Sequence, residues 1–194
     1  MPMRPLPTGE EAPKGYESIV NRKPQVDGLR VDCAFISQLA KIERAEIEAM
    51  RKLAFSGIGS LAGLTNKVIS FEREISILPG AEASDKLLFR AYRDKTLVGY
   101  ALVVIGWPDK GEWVIQHLII NPEFRMQGVG STIVRKVEKF ALDSEVEAKN
   151  IFAVPVEERG TRFWEDMGYA AETGRLPIKI ANLDHELMLH RKEL

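Results

Sequence analysis

The chain is short of several things, and each shortage removes a class of protein. It has one cysteine, Cys33, which excludes an internal disulfide and fits a reducing compartment. That thiol reads as a buried small hydrophobe rather than a nucleophile. Only three histidines occur, and His185 and His190 have no partners at metal-ligand spacing, so no metal site is expected. An excess of either charge is missing too. The formal net charge is −1, which supplies neither a basic field for nucleic acid nor an acidic solvating tail. The longest apolar run, Leu97 to Trp107, falls well short of the roughly 20 residues a membrane span requires and reads as a core strand. Met1 to Gly15 lacks the apolar centre of a secretory signal, so the expectation is a soluble cytoplasmic protein with neither nucleic acid nor membrane as partner.

What remains is enough for one domain with a full core plus a tail, since the chain has 194 residues of which 45% are hydrophobic. Residues 1–28 hold Pro2, Pro5, Pro7, Pro13 and Pro24 with few large apolar groups, a composition that cannot offset the cost of ordering and is expected to form a flexible extension. The domain then runs from 29 to 194. Leu29 to Asp32 reads as a short first strand. From Ile36 a helical stripe of Leu39, Ala40, Ile47, Met50, Leu53 and Ala54 runs to Gly57 and Gly59. A second helical stretch, Leu61 to Ile77, stops at Pro79 and Gly80. Three strands follow, Lys86 to Arg93, Thr96 to Gly106 and Glu112 to Ile120, joined by turns short enough for antiparallel hairpins. Beyond them come an amphipathic helix, a strand from Asn150 to Val156 reached by a parallel crossover, a short helix from Glu158 to Met167 capped by Gly168, and two last strands, one from Tyr169 and one from Asp184 to His190.

The most informative stretch is Ile120 to Ser131, where an apolar strand passes through a Pro turn and two spaced glycines into that amphipathic helix. Val129, Ile133, Val134, Val137, Phe140 and Ala141 recur at helical spacing, so a helix starts close to Gly128. Its first N–H groups lack intrahelical partners and carry the positive end of the macrodipole, which suits an anion. Gly128 and Gly130 let the backbone approach closely and can adopt positive φ, turning consecutive N–H groups inward. Arg125 adds a fixed charge. Glycines before a helix often do no more than make the turn, and that reading stays open on these residues alone. The other phosphate loops, G-x-G-x-x-G and G-x-x-x-x-G-K-[ST], are both missing here.

Ile120, Pro122, Glu123 and Arg125-x-x-Gly128-x-Gly130 resemble the pyrophosphate loop of the GNAT (Gcn5-related N-acetyltransferase) superfamily. A second segment, Ala153 to Val156 through Phe163, Trp164, Glu165, Gly168 and Tyr169, resembles that family's strand and aromatic helix end. The resemblance implies an α+β fold: a central, mostly antiparallel mixed sheet with one splayed parallel pair, flanked by helices. It implies acetyl-CoA as acyl-CoA co-substrate, held by Leu118, Ile119, Ile120, Arg125, Met126, Gln127, Gly128, Val129, Gly130 and Ser131. It also implies N-acetyltransfer to a primary amine by direct attack, the acceptor being a small molecule or a protein or peptide amine. A homodimer is compatible with it. Two departures stand out: Trp164 occupies the place where the family commonly has a proton-donating Tyr, and Glu157 the place of a frequent Asn. Trp164 can donate a hydrogen bond but cannot deliver a proton, so a non-catalytic acyl-CoA-binding module is the alternative.

The base is the least legible part. Simple alternation along the strand from Glu112 to Ile120 puts Glu112, Val114, Gln116, Leu118 and Ile120 on one face and Trp113, Ile115, His117 and Ile119 on the other. Family bases tend to sit four or six residues before the Ile120 position, where Gln116 and Val114 stand. Glu112 shares their face and is one candidate. His117 is the other, by its ordinary titration range, although alternation points it away.

Overall fold

The computed structural model describes residues 28–55, 71, 85–144, 148–155, 158–180 and 183–194. The expected extension, except Gly28, and the expected second helix, except the buried and helical Phe71, lie outside them. One seven-stranded sheet organises the rest, in the order β1-β2-β3-β4-β5-β7-β6. Its strands are β1 (Leu29–Phe35), β2 (Lys86–Arg93), β3 (Thr96–Ile105), β4 (Glu112–Ile120), β5 (Asn150–Ala153), β6 (Ala170–Ile180) and β7 (Leu183–Glu193). The helices are α1 (Lys41–Phe55), α2 (Val129–Asp143) and α3 (Glu158–Asp166). Every described strand pair is antiparallel except β4–β5, which the α2 crossover makes parallel. Among the described residues no helix is long and apolar enough to cross a membrane.

Boundaries shift where local chemistry overrides periodicity. The first strand runs on to Phe35, and Ile36–Gln38 forms a separate 3₁₀ turn before α1. Glu43 fixes the start of α1 by accepting the Ala40 N–H at 2.7 Å, as a capping carboxylate does. Within α1 only part of the expected stripe is buried: Ile47, Met50 and Ala54 are, whereas Leu53 is exposed. Periodicity locates such a stripe but does not set its width. β5 ends at Ala153, before Pro155, rather than at Val156.

Two large clusters of buried apolar side chains lie on opposite faces of the sheet. One gathers Phe89, Val98, Ala101, Val103, Trp113 and Ile115 with Ile133, Val134 and Val137 of α2, and reaches Trp164 and Tyr169. The other joins Ile47 and Met50 of α1 to Phe71, Tyr100, Leu102 and Ile119. Gly99 makes the first face possible. A Cβ there would stand 2.7 Å from Ile120 Cδ1 and 3.2 Å from both the Ile119 carbonyl and Ile133 Cδ1, so a larger residue would have to push the end of Ile120 aside and crowd β4 and α2.

β4 is irregular. Leu102 pairs with His117 and Val103 with Ile115, which makes Gln116 an extra residue in the strand. Such a bulge reverses the alternation beyond it. Leu118 and Ile120 therefore join Trp113 and Ile115 on the α2 face, while Ile119 faces the α1 cluster. The simple alternation expected from sequence fails here for that reason. At the far border, β6 pairs with β7 alone among the described residues, contains Pro177, and shifts register between Ala171 and Arg175.

Candidate functional site

β4 and β5 stay paired only from Glu112–Asn150 to Ile115–Ala153. Past that point β4 continues to Ile120 while β5 has ended, so the two parallel strands part and the β4 main chain from Gln116 onward is paired by β3 alone in the described sheet. This opening leads directly into the glycine loop.

The loop is built in three steps. Asn121 hands its N–H to Val98 O at 3.0 Å and accepts the Glu123 N–H on its side chain at 3.2 Å, which starts the 3₁₀ turn Pro122–Phe124. Met126 and Gly128 then take left-handed conformations, with φ of 59° and 79°. Gly128 is the residue preceding α2, and no side chain caps the helix. Its carbonyl accepts the Thr132 N–H and the hydroxyls of Ser131 and Thr132. The N–H groups of Val129, Gly130 and Ser131 thus have no intrahelical acceptor and point out of the helix start with the positive end of its dipole. Positive φ, open to both glycines, is taken by Gly128 alone of the two. Gly130 instead sits in the first helical turn, where its missing Cβ faces Phe163 of α3 at 3.5 Å and Leu118 of β4 at 3.7 Å. Strand, helix start and aromatic helix therefore meet at this glycine.

Arg125 braces the loop rather than lining it. Its Nε donates to Ile120 O and its Nη2 to Ala54 O, both at 3.3 Å, and Ala54 lies in the last turn of α1, where a cation is favoured. Sequence reasoning missed Arg93, whose Nη1 donates to Gln127 Oε1 at 2.9 Å. Its position could not be inferred locally, because β2 meets the loop only through tertiary structure.

The aromatic segment is a packed stack. Trp164 is 4% exposed and stands edge-on to Phe163 and Tyr169, at 5.0 Å between centroids in each pair. Tyr169 is buried with its hydroxyl. Burial, and then the Glu138 carboxylate, push its pKa up. It is a poor proton donor to anything. Gly168, with φ of 86°, ends α3, and Lys192 donates to Met167 O at 3.0 Å there.

The two expected bases lie in different halves of β4. Glu112 is in the closed half, opposite Asn150, with its main chain tied to Trp107 and Asp109. His117 is half-buried in the parted half, opposite Leu102, on the face that α1 covers. The bulge at Gln116 puts it there.

A family model described as "Acetyltransferase (GNAT) family" matches residues 64–169. No curated protein matches the chain by sequence. Among solved structures, an acetyltransferase from Streptococcus agalactiae 2603 aligns with a TM-score of 0.60 and 16% identity over 87% of this chain and 99% of its own. An acetyltransferase from Thermus thermophilus gives 0.58 and 15% over 86% and 99%. A GNAT family acetyltransferase from Elizabethkingia anophelis, solved with acetyl-CoA bound, gives 0.54 and 13% over 87% and 99%. At such identities the likeness is one of fold.

Proposed function

The chain belongs to the GNAT family of acetyltransferases, and on that footing we propose that it moves an acetyl group from acetyl-CoA to a primary amine by direct attack. The observation that carries this reading is the uncapped start of α2 behind left-handed Gly128, set where β4 and β5 part. Oriented N–H groups at a helix start suit a pyrophosphate. The residues present fit the donor: nothing bulkier than glycine stands at 128 or 130, and the apolar Leu118 and Phe163 flank the approach.

Acetyl-CoA supplies an activated acyl carbon and a thiol leaving group. The protein's part is to hold and orient. Main-chain groups of Leu118, Ile119 and Ile120 accept an extended arm as they would an added strand, and an N–H there polarises the thioester carbonyl. Arg125, Met126 and Gln127 shape the loop that leads to Gly128, Val129, Gly130 and Ser131. An alkyl amine of pKa about 10.4 must lose a proton before attack, and His117 is the base of this reading. It lies in the parted half of β4, on the face toward α1. Glu112 lies about 26 Å before Ile120 at roughly 3.3 Å per residue, within the closed ladder. A thiol of pKa about 8.5 on the cysteine scale leaves without much help, so a buried Trp164 in place of a proton donor is no obstacle.

That same Trp164 favours a second reading, a module that binds acyl-CoA without turnover. The test is a thiol-release assay with acetyl-CoA against polyamines, amino acids, aminoglycosides and peptide N-termini. Acceptor-dependent thiol supports the transferase; a flat signal with tight acetyl-CoA binding retained selects the binding module. If Gly128→Glu leaves the heat of acetyl-CoA binding unchanged, or if wild type gives no heat, the donor site is misplaced.

A further inference from the structure

Arg93 closes β2 beside the donor loop, and its surroundings do not match those of a structural cation. Its Nη1 holds Gln127 Oε1 at 2.9 Å, and its guanidinium carbon lies 5.2 Å from the Phe124 ring centroid. Gln127 is fixed in turn, donating to Glu123 O at 2.8 Å. The Nε of Arg93 is buried and has no hydrogen-bond partner among the described residues. Among those residues no carboxylate forms an ion pair with it; Glu123, the loop's own carboxylate, is exposed and engages it with no oxygen.

A positive side chain is therefore held by the side chain of the residue before Gly128, in the loop that leads to the positive end of the α2 dipole, with Arg125 in the same loop. Like charges placed together cost energy unless an anion lies between them. By contrast, Arg90 on the same strand is neutralised by Asp32 at 2.9 Å and by Glu43.

We propose that Arg93 is the side-chain cation of the donor site, directed at the pyrophosphate that the first turn of α2 receives; this rests on the donor reading above. The role has two parts: the charge attracts the anion, and the Gln127 contact keeps the loop in its left-handed form.

The test is calorimetric titration of coenzyme A and of dephospho-coenzyme A into wild type, Arg93→Met, Arg93→Lys and Gln127→Ala. A charge-assisted contact contributes about 1.5–3 kcal/mol, so Arg93→Met should weaken both ligands by at least about tenfold. Its affinity should also depend less on salt, because one screened attraction is gone. Arg93→Lys should keep the salt dependence and recover part of the affinity, and Gln127→Ala should keep the salt dependence with a smaller loss. Unchanged affinity in Arg93→Met overturns the proposal. So does a loss confined to coenzyme A, which places the cation at the ribose phosphate, or an unaltered salt dependence, which makes Arg93 a brace only. Wild type that binds neither ligand would instead overturn the donor reading. Should Arg93→Met fail to fold, Arg93→Gln, which also removes the charge, takes its place and is read by the same criteria.

Discussion

The two halves of β4 are built from similar apolar residues and end in different settings. From Glu112 to Ile115 the strand is flanked by β3 and β5 and holds Trp113 and Ile115 in the core. From Gln116 to Ile120 it keeps β3 and leaves β5 behind. One extra residue at Gln116 separates them, turns His117 toward α1 and returns Leu118 and Ile120 to the α2 face. Side-chain chemistry alone does not tell the halves apart. What distinguishes them is where the neighbouring strand stops.

The comparison predicts that damage to the closed half costs stability and damage to the parted half costs function. The largest effect is expected of Trp113→Ala. Trp113 is fully buried, and truncating a buried Trp typically costs about 3–5 kcal/mol, to be measured by chemical denaturation. If the denaturation midpoint barely moves, the closed half is not the anchor described here. Next comes His117→Gln, which should lower kcat by about 10²-fold or more, as removal of a general base does, with melting little changed. Glu112→Gln should leave kcat within about twofold, since its carboxylate lies outside the proposed proton path. A reversal of those two results would transfer the base to the closed half.

Gly99→Ala sharpens the comparison because it touches both halves' support. Its Cβ must displace Ile120 and Ile133, so a loss of about 1–3 kcal/mol is expected from overpacking, together with weaker acetyl-CoA binding as the loop's root at Ile120 moves. Stability loss with unchanged binding would show that the loop is anchored elsewhere.

The smallest effects are in pH dependence on the β1 side of the sheet, away from either half. Arg90 and then the Ala40 N–H hold the Glu43 carboxyl below its ordinary pKa. Its contribution is therefore present above the usual carboxylate range and fades as pH falls through the lowered value. Glu43→Gln should flatten the acid limb of the stability profile. Burial, and then Asp32, raise the Cys33 thiol from 9.0 to about 11. That contribution is full below pH about 9 and lost as pH rises toward 11. Native Cys33 should react with a disulfide reagent far more slowly at pH 8 than in denaturant, and equal rates would mean the thiol is not protected.

Much of this architecture is written locally in the chain. β2, β3, β4 and the start of α2 are marked in the sequence, because alternation, turn residues and a helical stripe act over a few positions. Pro122 and Gly128 likewise marked the loop without help from the fold. The bulge at Gln116 was not legible, since it exists only in the register between β3 and β4, and the assignment of faces failed with it. Arg93 was invisible for a related reason: thirty-odd residues separate it from Gln127, and only the sheet brings them together. The acceptor is not legible either, since the first helical stretches and the late strands carry no diagnostic residue pattern.

The outer border of the sheet has a consequence for behaviour at high concentration. β6 carries Pro177, which has no N–H to offer a neighbouring chain, and its register slips near Arg175 so that a straight ladder is interrupted. A strand approaching that border finds an incomplete template. Among the described residues this border is therefore a poorer template for strand-by-strand self-association than an unbroken edge.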